Sequence, residues 1–317
     1  MATEVTHELI PTMEEIAVAR DRLVGVAVRT PLLRLHGSDD IWIKPEVLQP
    51  VGSFKMRGIY NAVSALPPEV RAKGVSTVSS GNTAQALSWA ARKFGVSARA
   101  IMPESAPLQK IRATEAYGGT PVLLPRDDAF RYLYTGAYHE FEDAFIHPVA
   151  NRDVIAGHAS IGLEIFEDLP EVASVFVPVG GGGLISGIAV ALKRLRPGVR
   201  IIGVEPSGCI PVIAGLAAGE PVIVEYDTIC DGVAVSFMMP EMYPLLRDLV
   251  DEMVTVDDSD VLVAMRDLAL RNKIVAEGAG ALAVAAARQA GEAAGVAVAV
   301  VSGGSVDAGL LTRALNS

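Results

Sequence analysis

The feature that most constrains the fold is the regular alternation of short apolar runs with longer amphipathic runs along most of the chain. Runs rich in Val, Ile and Ala are typical of strands that are buried on both faces of a parallel sheet. The amphipathic runs between them have the length of crossover helices, which predicts an α/β fold. The predicted strands are residues 74–79, 98–102, 120–124, 174–179, 200–204 and 296–301. The predicted helices are residues 83–94, 107–116, 157–168, 184–195, 259–271 and 278–290.

Charge and composition exclude several classes of partner. The 317 residues include 37 acidic side chains against 27 Lys and Arg, a formal net charge of −10. Because proteins that bind nucleic acid show a basic surplus or a basic stripe, we expect no nucleic-acid partner. Charged residues interrupt both the N-terminus and the most apolar stretch, residues 276–302, so neither a signal peptide nor a membrane span is predicted. The two cysteines, Cys209 and Cys230, suit a reducing compartment, and we expect a soluble cytoplasmic protein.

Four consecutive glycines, residues 180–183, follow a predicted strand and precede a helix that opens at Leu184. Without Cβ atoms their N–H groups can approach an anion closely, and the helix N-terminus adds free donors and a positive dipole end. The pattern therefore indicates a phosphate-binding turn. The glycine spacing of a dinucleotide fingerprint is absent here, and no P-loop motif occurs in the chain. A small phosphate-bearing ligand is favoured.

A second cluster surrounds Lys55, within the sequence Gly-Ser-Phe-Lys-Met-Arg-Gly at residues 52–58. The chain has only seven Lys against twenty Arg, so a lysine between glycines and beside an aromatic ring is conspicuous. A lysine in a partly desolvated pocket loses its proton more easily and can form a Schiff base with an aldehyde. The alternative interpretation is a solvated lysine on a surface turn.

A third cluster, Ser-Ser-Gly-Asn-Thr at residues 79–83, joins a predicted strand to the next helix. Asn82 or Thr83 could cap that helix. Alternatively, the helix N-terminus and the hydroxyls of Ser80 and Thr83 could receive a substrate carboxylate. A similar Gly-rich polar turn begins at Ser302, after the last predicted strand.

The ordered set of these motifs resembles the fold-type II pyridoxal-phosphate enzymes, and within them the threonine/serine dehydratase and serine racemase family. The resemblance extends from residue 29 to residue 304. It includes the family's G-S-F-K-x-R-G motif at residues 52–58 and further matches at residues 79–85, 180–184, 204–206, 231–232 and 277–281. It implies the tryptophan synthase β-like fold, in which helices flank two open, twisted, mostly parallel sheets.

The resemblance also implies a domain organisation and a set of site residues. Residues 1–73 and 149–317 would form a large cofactor-binding domain, residues 74–148 a small mobile domain, and two chains a homodimer. The implied catalytic residues are Lys55, which would form a Schiff base with pyridoxal phosphate and take the substrate α-proton, and Ser80. The other implied cofactor-binding residues are Phe54, Asn82, Gly180, Gly181, Gly182, Gly183, Leu184, Glu277 and Ser302. The implied substrate-binding residues are Ser79, Ser80, Gly81, Thr83, Asp231 and Gly232.

The implied reaction is dehydration of a 3-hydroxy amino acid, threonine or serine, to a 2-oxo acid and ammonia. Racemases of the family have a serine acid/base where Ser80 stands, so an amino-acid racemase is an alternative. Thr83 replaces the family's usual His, which leaves other substrates open, such as 3-hydroxyaspartate or phenylserine. Two further alternatives are a Rossmann-type oxidoreductase, in which Glu205 would bind a ribose hydroxyl, and a non-catalytic small-molecule-binding protein.

We predict no metal site. The five histidines, residues 7, 36, 139, 147 and 158, show no H-E-x-x-H or comparable pairing. A cation site in some relatives uses a Glu matching Glu205 and an Asp six residues later, where this chain has Pro211. The acidic side chains at residues 251–258 are expected to form a solvated face and a helix start.

Overall fold

The computed structural model describes residues 8–135 and 141–317, so His7 and His139 lie outside the described residues. Strands and helices alternate through both ranges. The strands are β1 (Leu33–Arg34), β2 (Ile41–Pro45), β3 (Val75–Val78), β4 (Ala98–Pro103), β5 (Thr120–Leu124), β6 (Ala144–Phe145), β7 (Ser174–Pro178), β8 (Arg200–Pro206), β9 (Glu252–Val256) and β10 (Ala297–Val301). The helices are α1 (Met13–Leu23), α2 (Lys55–Ala65), α3 (Pro68–Arg71), α4 (Asn82–Phe94), α5 (Leu108–Ala116), α6 (Arg126–Thr135), α7 (Arg152–Asp168), α8 (Gly183–Leu195), α9 (Pro211–Ala218), α10 (Tyr243–Leu249), α11 (Asp258–Asp267), α12 (Gly278–Ala290) and α13 (Ala308–Leu315).

The strands form two sheets, and the predicted fold class is confirmed. The six-stranded sheet has the order β1-β2-β10-β7-β8-β9, in which every pair is parallel except the antiparallel pair β1–β2. The four-stranded sheet has the order β5-β4-β3-β6 and is parallel throughout. This smaller sheet is formed by one continuous part of the chain, from β3 to β6. The division of the chain into a large and a small domain stays a prediction.

Strand β10 shows why the apolar runs of the sequence are continuous rather than alternating. Ala297, Ala299 and Val301 face a core that includes α11 and α12. Val298 and Val300 face the opposite core, which includes α7 and α8. Both faces of the strand are therefore covered by helices, as expected for a parallel sheet inside an α/β fold.

All six predicted strands and all six predicted helices are present; β5 and α12 have the predicted ends, and the others have shifted ends. The largest shift is in α7, which begins at Arg152 rather than residue 157 because the Asn151 side chain accepts the Val154 N–H and caps the helix earlier. The helix predicted over residues 259–271 ends as α11 at Asp267 and continues as a π-helical turn. The acidic stretch expected to be a solvated face and helix start includes β9, a partly exposed edge strand.

Candidate active site

A cavity lies at the carboxyl ends of β3, β6, β7 and β10, where α/β folds place their ligands. All the site residues predicted from the sequence line it, from Phe54 and Lys55 to Ser302. The fold thus brings together segments that are far apart in the chain, while the roles assigned to them stay predictions. Sequence reasoning missed other lining residues: Val78, Lys110, Phe130, Leu133, His147, Pro148, Val149, Pro178, Val233, Ala234, Val235, Phe237, Met239 and Ala279.

Gly180, Gly181 and Gly182, in the glycine turn after β7, are packed closely against neighbouring residues. A Cβ on Gly181 would lie 2.5 Å from Val149 Cγ2, and a Cβ on Gly180 would lie 3.1 Å from the Cα of Val233. Gly182 has φ +91°, a left-handed conformation that L side chains rarely adopt. No side chain caps α8, which begins at Gly183. The turn therefore offers backbone N–H groups and a helix N-terminus to an anion.

Lys55 begins helix α2 and is partly buried, at the wall of the cavity. Its Nζ lies 4.9 Å from the centroid of the Phe54 ring. Burial lowers the pKa of Lys55 to about 8, although the Glu277 carboxylate opposes this shift. With that pKa, roughly a tenth of the amines are unprotonated near pH 7, against well under a thousandth for an ordinary lysine. Lys55 is thus equipped as a nucleophile and as a base.

Backbone hydrogen bonds hold the Lys55 segment against the turn that follows β10. The Phe54 N–H donates to the Ser302 carbonyl at 3.0 Å, and the Gly304 N–H donates to the Gly52 carbonyl at 2.9 Å. The Ser302 hydroxyl lies at the cavity, where it donates a long bond of 3.4 Å to the Ala279 carbonyl. These contacts fix the distance between the lysine and the Ser302 turn.

A buried charge network anchors α2 one half-turn beyond Lys55. Arg57 donates to Glu46 at 2.8 and 2.9 Å and to Glu164 at 2.6 and 2.9 Å. Lys44 donates to Glu164 at 2.6 Å, so two cations balance two carboxylates. All four side chains are buried. Burial opposes ionisation of Glu46, but Arg57 outweighs it and holds the pKa of that carboxyl below its ordinary value.

A second set of charges crosses from the small sheet to the large one. Lys110 of α5 lies 2.6 Å from Asp231 and 3.3 Å from Glu277. The Asn82 side chain donates to Glu277 at 2.7 Å. Burial opposes the charge of Lys110, but the two carboxylates outweigh it and raise its pKa. Burial and the Asp231 charge raise the pKa of Glu277. Lys110 is one of the scarce lysines, a property that could have identified it from the sequence.

The capping interpretation of Asn82 and Thr83 is wrong. Helix α4 begins at Asn82, and no side chain caps it. The Asn82 amide nitrogen bonds Glu277 instead, while its Oδ1 atom is buried with no hydrogen-bond partner among the described residues. The Ser79 hydroxyl accepts the Gly81 N–H at 3.0 Å, which shapes the turn. The free start of α4 remains available to a carboxylate.

These observations fit pyridoxal phosphate as a ligand. The glycine turn of residues 180–183 supplies backbone N–H groups and a helix N-terminus for a phosphate, and Lys55 supplies an amine that reacts with an aldehyde. The unpartnered Oδ1 of Asn82 and the hydroxyl of Ser302 are polar groups for a substituted ring. The donor set thus matches each functional group of this cofactor.

Other features bear on the alternatives. Glu205, which an oxidoreductase would need for a ribose, is buried and accepts the N–H groups of Val212 and Ile213 at 2.9 and 3.0 Å. It therefore faces the start of α9. Within residues 8–135 and 141–317, no cluster of three or more His, Cys, Asp or Glu side chains has a metal-binding arrangement. Over the same residues, no helix combines the length and apolarity needed to span a membrane.

Comparison with known proteins gives one consistent family. The family described as "Pyridoxal-phosphate dependent enzyme" matches residues 25–303. The L-threonine ammonia-lyase of Thermotoga maritima is 41% identical over 315 residues, which cover 96% of this chain and 78% of that protein. The catabolic L-threonine dehydratase of Escherichia coli is 38% identical, with 89% of this chain and 88% of that protein covered. The structure of maize serine racemase superimposes with a TM-score of 0.88 at 33% identity, covering 97% of each chain.

Proposed function

The chain belongs to the family of pyridoxal-phosphate-dependent enzymes, and we propose that it is an ammonia-lyase that converts L-threonine or L-serine to a 2-oxo acid and ammonia. The enzyme is a pyridoxal-phosphate-dependent lyase. The observation on which the substrate proposal depends is that Lys55, with its lowered pKa, lies in one cavity with the glycine turn and the free start of α4. Relatives named L-threonine ammonia-lyase and L-threonine dehydratase support threonine as the substrate.

Different residues of the cavity are proposed to bind different parts of the cofactor and the substrate. The N–H groups of the glycine turn and the N-terminus of α8 would hold the cofactor phosphate. Asn82, Glu277 and Ser302 would bind the cofactor ring, and Phe54 packs beside Lys55. The segment from Ser79 to Thr83 receives the substrate carboxylate at the start of α4. When bound, pyridoxal phosphate supplies an aldehyde for the substrate amine and a ring that delocalises electrons released at the α-carbon.

Lys55 is the proposed base for the α-proton of the substrate. Its unprotonated amine removes the proton from the substrate α-carbon, and burial keeps enough of the amine neutral to do so near neutral pH. Loss of the β-hydroxyl as water then leaves an enamine, which water hydrolyses to the 2-oxo acid and ammonia. The apolar wall that includes Phe130, Leu133 and Val233 limits the access of bulk water during these steps.

The first experiment identifies the lysine and the product. Borohydride reduction of the holoenzyme followed by peptide mapping should find the cofactor fixed to Lys55. L-Threonine should yield 2-oxobutyrate and ammonia in equal amounts. Lys55→Ala should lose both the reducible linkage and the activity, whereas Lys73→Ala, at an exposed lysine, should keep both. A reducible linkage on another lysine, or no 2-oxo acid from any 3-hydroxy amino acid, would contradict the proposal.

A racemase is the second candidate, because Ser80 lines the same cavity as Lys55. A racemase needs a second acid/base on the substrate face opposite the lysine. Chiral analysis of L-serine incubated with the enzyme separates the two reactions. D-Serine formed faster than pyruvate would favour the racemase, and Ser80→Ala should then abolish D-serine formation while retaining the bound cofactor. A panel of 3-hydroxy amino acids including 3-hydroxyaspartate and phenylserine ranks the lyase substrates.

We further propose a cytoplasmic homodimer in which residues 74–148 move as a small domain against residues 1–73 and 149–317. The separate four-stranded sheet between β3 and β6 supports the domain division. Sedimentation of the holoenzyme measures the oligomeric state. Small-angle X-ray scattering with and without substrate analogue measures any closure, and an unchanged scattering profile would contradict a mobile domain.

A further inference from the structure

His147 follows β6 and lines the cavity, and its hydrogen bonds determine which ring nitrogen has the proton. Its Nδ1 accepts the Val149 N–H at 3.1 Å and the Ala150 N–H at 2.7 Å. Backbone N–H groups can only donate, so Nδ1 must be unprotonated. The proton of the neutral ring is therefore on Nε2, and the loop geometry itself selects this tautomer.

The ring is also held in its neutral form. Burial and, to a smaller extent, the nearby Lys55 charge together lower the pKa of His147 to about 4. Near neutral pH the imidazole is thus a neutral group with one fixed donor, Nε2–H, and one engaged acceptor, Nδ1. It is therefore suited to hydrogen bonding rather than to proton transfer.

The Nε2 donor is buried and has no acceptor among residues 8–135 and 141–317. A buried donor without a partner is unfavourable, so such groups in native proteins usually indicate a missing ligand, ion or water. Because His147 lines the cavity, a bound ligand is the natural source of the acceptor.

The position of His147 identifies which part of the ligand it meets. Strand β6 pairs with β3 in the register Ser76↔Phe145, so His147 lies beside the end of β3, where the carboxylate-binding segment 79–83 begins. Two residues later, Val149 packs against Gly181 of the phosphate-binding turn. His147 thus lies between the site for the substrate carboxylate and the site for the cofactor phosphate. With the substrate carboxylate at residues 79–83 and the cofactor phosphate at residues 180–183, as proposed above, the interval between them would be left for the substrate side chain.

We propose that the Nε2–H of His147 donates a hydrogen bond to the β-oxygen of the bound 3-hydroxy amino acid. His147 is then a specificity-determining residue that favours hydroxylated substrates over those with plain alkyl side chains. This inference rests on the proposed lyase function. It concerns the substrate side chain, and neither the cofactor nor the carboxylate is its target.

A His147→Asn variant separates the two nitrogens. Asn places an oxygen where Nδ1 stands and readily accepts N–H groups two and three residues later, so the turn to Val149 and Ala150 is preserved. The Asn side chain has no group at the position of Nε2. His147→Gln is the reciprocal variant, because its amide reaches the Nε2 position. His36→Asn, at an exposed histidine, is the matched control.

The test compares L-threonine with L-2-aminobutyrate, which is threonine without the β-oxygen. In His147→Asn, kcat/KM for threonine should fall roughly tenfold, the loss expected for one hydrogen bond. The dissociation constant of 2-aminobutyrate, measured by spectral titration of the holoenzyme, should change less than twofold, as should that of pyridoxal phosphate. His147→Gln should recover part of the threonine activity, and His36→Asn should match the wild type.

Three outcomes would overturn the inference. Equal weakening of threonine and 2-aminobutyrate would show that His147 acts on the carboxylate or on the shape of the cavity. A loss confined to the affinity for pyridoxal phosphate would assign the donor to the cofactor. An unchanged kcat/KM would remove His147 from recognition altogether. If instead the wild-type enzyme forms no 2-oxo acid, the proposed function itself fails, and this inference fails with it.

Discussion

Arg57 offers the sharpest test of how the lysine-bearing helix is held in place. Its guanidinium donates to both Glu46 and Glu164, and further bonds reach the Ser160 hydroxyl at 3.1 Å and the Val28 carbonyl at 3.0 Å. In Arg57→Met the apolar stem is largely kept, but among residues 8–135 and 141–317 only the Lys44 cation remains to balance the two carboxylates. The variant therefore buries an unbalanced negative charge.

The expected cost follows from the burial of the partners. Arg57 is 1% exposed and Glu46 is fully buried, so water cannot replace the lost bonds. Breaking a buried ion pair from one side costs about 3–5 kcal/mol of stability. In a chain of this length that corresponds to a fall in Tm of roughly 5–8 °C. Calorimetry of the holoenzyme measures the shift.

Arg29 provides the matched control. It also binds two carboxylates, those of Glu167 and Asp168, each at 2.5 Å, but its side chain is 51% exposed. Arg29→Met should therefore cost at most about 1 kcal/mol, because exposed pairs contribute little. The double variant Arg57→Met with Glu164→Gln restores charge balance in the buried network, and we expect it to be more stable than Arg57→Met alone. Equal Tm values for the Arg57 and Arg29 variants would refute the argument from burial.

Two further predictions concern a buried ring and a close backbone contact. His158 is fully buried with no partner for either ring nitrogen among the described residues, and burial holds its pKa well below 6.5. Below pH 6.5 the His158 ring takes up a proton in the unfolded chain but not in the folded one, so the protein loses stability as the pH falls. His158→Leu should reduce that loss by about 1 kcal/mol at pH 5.5, measured by urea unfolding. A Cβ on Gly280 would lie 2.2 Å from a backbone carbonyl oxygen of the turn after β10, whereas a Cβ on Gly198 meets nothing within 4 Å. Gly280→Ala should therefore lower the free energy of unfolding by roughly 2–4 kcal/mol, whereas Gly198→Ala should change it by less than about 1 kcal/mol. Urea unfolding measures both, and equal urea midpoints for the two variants would contradict the steric argument.

The sequence predicted those parts of the site that depend on a local pattern. The glycine turn is recognisable because a strand, four glycines and a helix are consecutive in the chain. The lysine segment 52–58 is recognisable because its seven residues are likewise consecutive. The edge strand β9 was missed because its faces are partly exposed and it lacks a continuous apolar run. Contacts such as Lys110 with Asp231 join residues far apart in the chain, and no local pattern indicates which two will meet.

The contrast between Lys55 and Lys110 explains how one cavity can contain two lysines whose pKa values shift in opposite directions. Both are removed from water, which by itself lowers the pKa of each. Lys110 lies within 3.3 Å of both Asp231 and Glu277, whose charges outweigh burial and keep it protonated. In the part of the chain that the structure describes, Lys55 forms no ion pair, and Glu277 acts on it only through space, so burial prevails. The opposite pKa shifts of the two lysines therefore follow from where the carboxylates lie. Asp231 and Glu277 both form ion pairs with Lys110, and among the described residues neither forms one with Lys55.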